Sequence, residues 1–157
     1  MGMGEALSQQ LSAKVKEVTD AVSELSEEEA GRPKAEGEWC AKQVLSHLCG
    51  EDDALSMYEF KRFLDEETPP LGIVPGRHAE VRKDASVQEL VSKIESDYAQ
   101  ISSFLAGLND DQLGRKAHVP FLKETPLGDY PTLGQWAGAV INFHLADHIN
   151  QLRALRE

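Results

Sequence analysis

The chain is predicted to be all-α, an antiparallel four-helix bundle with two long crossing loops. Three observations carry that expectation. Apolar residues recur at spacings of three and four over four long stretches, strand patterning is nearly absent, and two proline- and glycine-containing stretches interrupt the helical pattern. With 157 residues, 41% hydrophobic and 27% charged, residues 1–157 read as one domain with a single sizeable core.

The first helix is expected from about Glu5 to Leu25, because Leu7, Leu11, Val15, Val18, Val22 and Leu25 form an amphipathic stripe. "SEEEAGRP" then gives a capped turn and a stop: Ser26 and Glu29 have capping-box spacing, and Gly31 and Pro33 break the chain. A second helix is expected from about Cys40 to Asp65, ending before "TPP" at 68–70. Residues 66–85 form a long connection with three prolines and two glycines, the kind of loop that covers a site or moves. The third helix starts near Ser86, again with capping-box spacing to Glu89, and reaches about Leu108. A second irregular stretch occupies 114–133, where "AHVPFL" is the one weak strand candidate. The fourth helix comes after "PTLG" and runs toward the C-terminus.

An internal echo relates the two halves. "LSEEEAGR" at 25–32 resembles "LNDDQLGR" at 108–115, and each sits at a helix end. Trp39 precedes His47 by eight residues, as Trp136 precedes His144, and both histidines are followed by leucine. Two related helix pairs about a pseudo-twofold axis would bring His47 and His144 together near that axis.

Charge narrows the function. Sixteen basic against 27 acidic side chains give a formal net charge of -11, which argues against nucleic acid or an anionic membrane as partner. No stretch approaches the roughly 18 apolar residues of a membrane helix, and "MGMGEALSQQ" lacks the basic and apolar regions of a signal peptide. The expected location is the cytoplasm. Cys40 and Cys49 lie on one expected helix, separated by roughly 13 Å of rise at ~1.5 Å per residue, too far for a disulfide. Both are expected to be reduced thiols.

On the last helix, Ala137, Val140, Ile141, His144, Leu145, His148, Ile149, Leu152 and Leu155 keep the three-and-four rhythm, which puts two histidines on the inward stripe. Residues four apart on a helix project side by side, so the two imidazoles can converge on one ion. On the second helix Cys40, Val44, His47, Glu51, Ala54 and Tyr58 share that rhythm, with Glu51 as the counterpart of His148. Three neutral imidazoles with an open position suit zinc, nickel, copper or iron(II), with zinc or nickel expected. A lone inward histidine is more often a hydrogen-bonded core residue. Three of them without a shared partner would leave several buried donors and acceptors to satisfy. The alternative is a polar network of imidazoles, Glu51 and water.

The segments "EWCAKQVLSHL" at 38–48 and "TLGQWAGAVINFHLADHINQL" at 132–152, in the order helix, His-helix, helix, His-x3-His-helix, resemble the DinB/YfiT-like superfamily of metal-dependent four-helix-bundle enzymes. The resemblance covers nearly the whole chain and implies a DinB-like four-helix-bundle domain. It implies that one histidine of the second helix and two of the last bind a divalent metal, which places the ligands at His47, His144 and His148. Relatives include thiol-S-transferases that act on a low-molecular-weight thiol and a thiol-dependent maleylpyruvate isomerase. Dimers occur among them, so a homodimer is an expectation here too.

The expected function is therefore that of a metal-dependent enzyme acting on a small molecule, either thiol-S-transferase-like or hydrolase-like. A divalent ion at such a site lowers the pKa of a water or thiol and polarises an electrophile. Glu51 is the expected general base or fourth ligand, one turn from His47. Asp52 and Asp147 neighbour ligand positions and are candidates to orient imidazole N–H groups, although exposed acids are the commoner outcome. Arg77 and His78 in "PGRHAE" are candidates to bind a substrate carboxylate from the first loop. Trp39 and Trp136 are expected to pack at helix starts. Two competing readings stand beside the enzyme: a non-catalytic metal-binding or sensing bundle, and a structural bundle whose histidines bond one another.

Overall fold

Leu7, Leu11, Val18 and Val22 share the buried face of α1 (Met3–Val22), and that face seats the helix against its neighbours. In the computed structural model, which describes residues 2–50, 57–73 and 76–156, α1 packs chiefly on α5 (Val87–Ala106) and on α8 (Ala146–Ala154). The α1–α5 approach is close enough that a β-carbon at Gly4 would lie 2.4 Å from the Leu105 carbonyl oxygen. Ser8 and Ser12 meet Ser102 across the same seam at 2.7 and 3.0 Å, so the buried Ser102 hydroxyl is hydrogen-bonded.

The second rod differs from the expected continuous helix. It comprises α3 (Ala41–Cys49) and α4 (Met57–Asp65). Gly50 ends α3 at φ 72° and ψ -161°, a conformation essentially restricted to glycine, which stops the helical hydrogen-bond pattern. The break resets the inward face. Tyr58, expected inward, is 66% exposed, while Glu59, Phe60 and Phe63 form the buried face of α4. Glu51, Asp52 and Ala54 lie outside the described residues.

The two echoed acidic segments each fold as a one-turn helix, α2 (Glu27–Ala30) and α6 (Asp110–Leu113). In α2 the Ser26 hydroxyl accepts from the Glu29 N–H at 3.1 Å, and the Glu29 carboxylate accepts from the Ser26 N–H at 3.0 Å. Asn109 and Gln112 make the same reciprocal pair in α6, at 2.8 and 2.9 Å. Helix α1 thus ends before Leu25 and α5 before Leu108, and the residues beyond form a capped turn of their own.

The last rod starts with α7 (Leu133–Ala139), capped by Thr132 and Gln135. It continues through a π-helical segment, Val140–Leu145, into α8. The expected strand "AHVPFL" is instead one isolated bridge, at His118, and then a 3₁₀ turn, Pro120–Leu122. His118 makes backbone hydrogen bonds of 2.8 Å with Pro69 and Leu71, which lace the second long loop to the first. Among the described residues there is no strand, and the rods form the four-helix bundle expected from the sequence. No helix of the described residues is long and apolar enough to cross a membrane.

Candidate metal centre

His47 occupies the last turn of α3, 4% exposed, on the same helix as the fully buried Val44 and Leu48. Its Nδ1 lies 2.6 Å from the Arg77 carbonyl oxygen. A carbonyl only accepts, so Nδ1 carries the hydrogen and Nε2 presents a bare lone pair. That Nε2 stands 2.9 Å from Nε2 of His144, at the end of the π segment. His148 lies one turn later, its Nδ1 2.8 Å from the Gln151 side-chain oxygen. The three ring centroids are 4.7–5.1 Å apart pairwise, and one ring nitrogen from each lies within 4.8 Å of the others. His47 and His144, equivalent positions of the internal echo, thus meet directly.

Electrostatics keeps the cluster neutral. Burial pulls His47 down to about 4 and His144 to about 3, and neighbouring imidazoles and the Arg77 guanidinium add to the depression. Burial also lowers His148, against the opposing pull of Gln151 and Asp147. Near neutral pH all three rings keep their lone pairs.

The donor set fits a divalent transition-metal ion. It offers neutral imidazole nitrogens, and two of the rings carry a second hydrogen bond that fixes the tautomer. Nitrogens bound to one ion at about 2.0–2.1 Å are held roughly 3 Å apart, the scale of the His47–His144 separation.

The histidines form one wall of a cavity of about 430 Å³. Trp39 stacks on His148, with ring centroids 6.2 Å apart and planes 10° from parallel, and tilts against His47 at 5.3 Å. Trp39 therefore covers the centre in addition to opening the second helix. Trp136, Val140 and Leu122 supply apolar wall, and Phe121 and Phe143 also line it, 54% and 68% exposed. Two buried polar atoms of lining residues have no partner among the described residues: Oε2 of Glu59 and Nε1 of Trp136.

A family model described as the DinB superfamily matches residues 10–152. The chain belongs to the DinB superfamily. A solved DinB-like structure, YfiT from Bacillus subtilis, is described as "a probable metal-dependent hydrolase with an unusual four-helix bundle topology". It aligns over 97% of this chain and 85% of its own, at 24% identity and a TM-score of 0.79, a likeness that shows the shared fold. Among curated proteins none matches.

The other sequence candidates are distributed unevenly around this histidine cluster. Glu51 and Asp52 lie outside the described residues. Asp147 lines the cavity and is exposed. Arg77 reaches the cavity, but its guanidinium is paired with Glu59, and His78 is half-buried with its carbonyl accepting from the Ser46 hydroxyl at 2.7 Å. Arg77 is therefore not an unpaired cation awaiting a carboxylate. His118 bonds Asp129 at 3.1 Å and stacks on Tyr130. Cys40 and Cys49 are buried free thiols, and burial pushes Cys49 up to about 11, which makes it a poor nucleophile. Sequence reasoning missed Glu59 and Gln151. The one-turn spacing of Glu59 and Phe63 points to a shared buried face only once the helix break at Gly50 is known.

Proposed function

We propose that this DinB-superfamily protein is a metal-dependent enzyme acting on a small molecule with a largely apolar body, with His47, His144 and His148 as the metal ligands. The observation that carries the reading is the convergence of three neutral imidazoles on the wall of a mostly apolar cavity. A divalent ion there supplies Lewis acidity, activating a nucleophile and polarising an electrophile.

The chain's own residues prepare that chemistry. The Arg77 carbonyl and the Gln151 amide fix ring tautomers, so a lone pair of each of these two rings points inward. Trp39 shields His47 and His148 from bulk water. The aromatic and aliphatic walls receive the apolar part of a substrate. Hydrolysis is the preferred reaction, in keeping with the description of YfiT. Transfer of a low-molecular-weight thiol is the finer alternative to be separated from it.

A structural bundle is the competing reading, because 2.9 Å also suits an N–H···N hydrogen bond between His47 and His144. Elemental analysis of protein purified without an affinity tag, with zinc and nickel titration after chelation, decides between them. About one ion per chain, lost in His47→Ala, His144→Ala and His148→Ala, supports the metal centre. Full stoichiometry in all three variants would remove it. Metal-loaded protein screened against apolar esters and amides, with and without small thiols, then separates hydrolase from transferase. An absence of metal-dependent turnover throughout would leave a binding protein.

A further inference from the structure

Glu59 is a carboxylate only 3% exposed, carried by α4 on the same face as Phe63. A buried carboxylate needs a charged or hydrogen-bonding partner, and Glu59 has one on a different element: its Oε1 pairs with the Arg77 guanidinium. The same residue, Arg77, uses its main-chain carbonyl to hold His47 Nδ1 at 2.6 Å. A continuous path therefore runs from Glu59 through both ends of Arg77 to the ring whose other nitrogen faces His144.

Several contacts make this path more than one ion pair on a loop. Ser46, the neighbour of His47 on α3, donates to the His78 carbonyl at 2.7 Å and accepts from the Arg82 N–H at 2.8 Å. Gly76 turns the chain into Arg77 at φ 74°, and a β-carbon there would meet the Trp39 ring at 3.4 Å. Residues 76–82 are thus pinned to α3 by Ser46 and His47, and to α4 by Glu59. The second Glu59 oxygen, Oε2, is buried without a partner among the described residues, an arrangement that costs stability and is better placed at a functional site than in a structural ion pair.

We propose that Glu59 is a positioning residue of the histidine centre, acting on His47 through Arg77. By holding the Arg77 side chain, Glu59 fixes the Arg77 carbonyl, and that carbonyl keeps the hydrogen on His47 Nδ1 and the lone pair of Nε2 directed at the shared site. The inference rests on the metal-ligand reading of His47, and its test separates the two.

The experiment compares Glu59→Gln, Arg77→Gln, their double variant and the control Glu66→Gln, which breaks only an exposed pair with Arg62. Zinc affinity is measured by competition with a chromophoric chelator. Ring-nitrogen NMR of the metal-free protein reports the His47 tautomer. Loss of such an outer hydrogen-bonding partner is expected to weaken zinc binding by about 10- to 100-fold. The double variant should be no weaker than the weaker single one, the control should bind as the parent does, and the protected His47 Nδ1–H signal should exchange with solvent in Glu59→Gln. A folded Glu59→Gln protein with parental zinc affinity and an unchanged His47 signal overturns the proposal. If Glu59→Gln does not fold, the double variant, which leaves no unpaired buried charge, decides by the same criteria. A parent protein that binds neither zinc nor nickel removes the metal reading instead, and the ring-nitrogen comparison still tests the positioning role.

Discussion

The two halves of the bundle begin alike and end differently. In each, a capped acidic turn follows the first long helix, then come a tryptophan and, eight residues later, a histidine with leucine next to it. In the first half α3 stops two residues after His47, at the positive-φ Gly50. In the second half the backbone passes through the π segment and continues as α8, so that a second histidine arrives one turn after His144. One local pattern thus yields one buried, externally held imidazole in the first half and two half-buried imidazoles on the cavity wall in the second. The difference lies in the backbone after the histidine: a glycine that ends a helix, or an adjusted helix that goes on. π segments of this kind recur at functional sites.

Removing the histidines should break the comparison most severely. His144→Ala or His148→Ala takes away half of the second rod's contribution, while His47→Ala takes away everything the first rod supplies. Each should reduce bound metal from about one ion per chain to none, and isothermal titration of the chelated protein measures it.

A pH effect is next in size. In the metal-free protein His47 and His144 sit at about 4 and about 3, against an ordinary 6.5 in the unfolded chain. The unfolded state binds these protons first, so their neutral burial is fully accommodated above pH 6.5 and stability is lost as pH falls toward 4 and then 3. Urea midpoints should decline over that window, and less so in His47→Gln/His144→Gln. An unchanged slope in the double variant would separate the acid response from these rings.

Gly50 marks where the halves diverge. Alanine there must adopt a conformation that strongly disfavours a β-carbon, and Gly50→Ala should lower unfolding stability by about 1–3 kcal/mol. The loss is expected even with metal absent, which distinguishes it from a ligand effect. The smallest effect concerns the cap that starts the second histidine rod. Thr132→Ala removes the hydroxyl that accepts the Gln135 N–H at 3.1 Å, for an expected loss of about 1 kcal/mol. Metal stoichiometry should stay unchanged, because the cap lies more than two turns before His144. Chemical denaturation gives both values.

These contrasts also mark how far the sequence could be read. Period alone located the rods, because burying one face of a helix imposes a three-and-four recurrence that Leu7, Leu11, Val18 and Val22 display openly. The echo of Trp39–His47 in Trp136–His144 was enough to bring two histidines from distant parts of the chain face to face. The phase of the second rod stayed hidden. Gly50 lies inside an otherwise helical pattern, and an isolated glycine there reads as a tolerated weak point until its φ is known. With the phase reset, Tyr58 turned outward and Glu59 inward, so the buried carboxylate of the site was a residue that the continuous-helix pattern had placed elsewhere. The π segment was illegible for a similar reason, since i and i+4 neighbours occur in both helix types. The roles of Arg77 and Gln151 depend on a loop path and a side-chain rotamer, and neither leaves a periodic signature.

X-ray absorption fine structure on zinc-loaded protein tests the central claim most directly. Three imidazole nitrogens at about 2.0–2.1 Å from the ion is the predicted result, with no protein-bound zinc left to measure in His47→Ala. A sulfur shell at about 2.3 Å, or an ion without imidazole scattering, would contradict it.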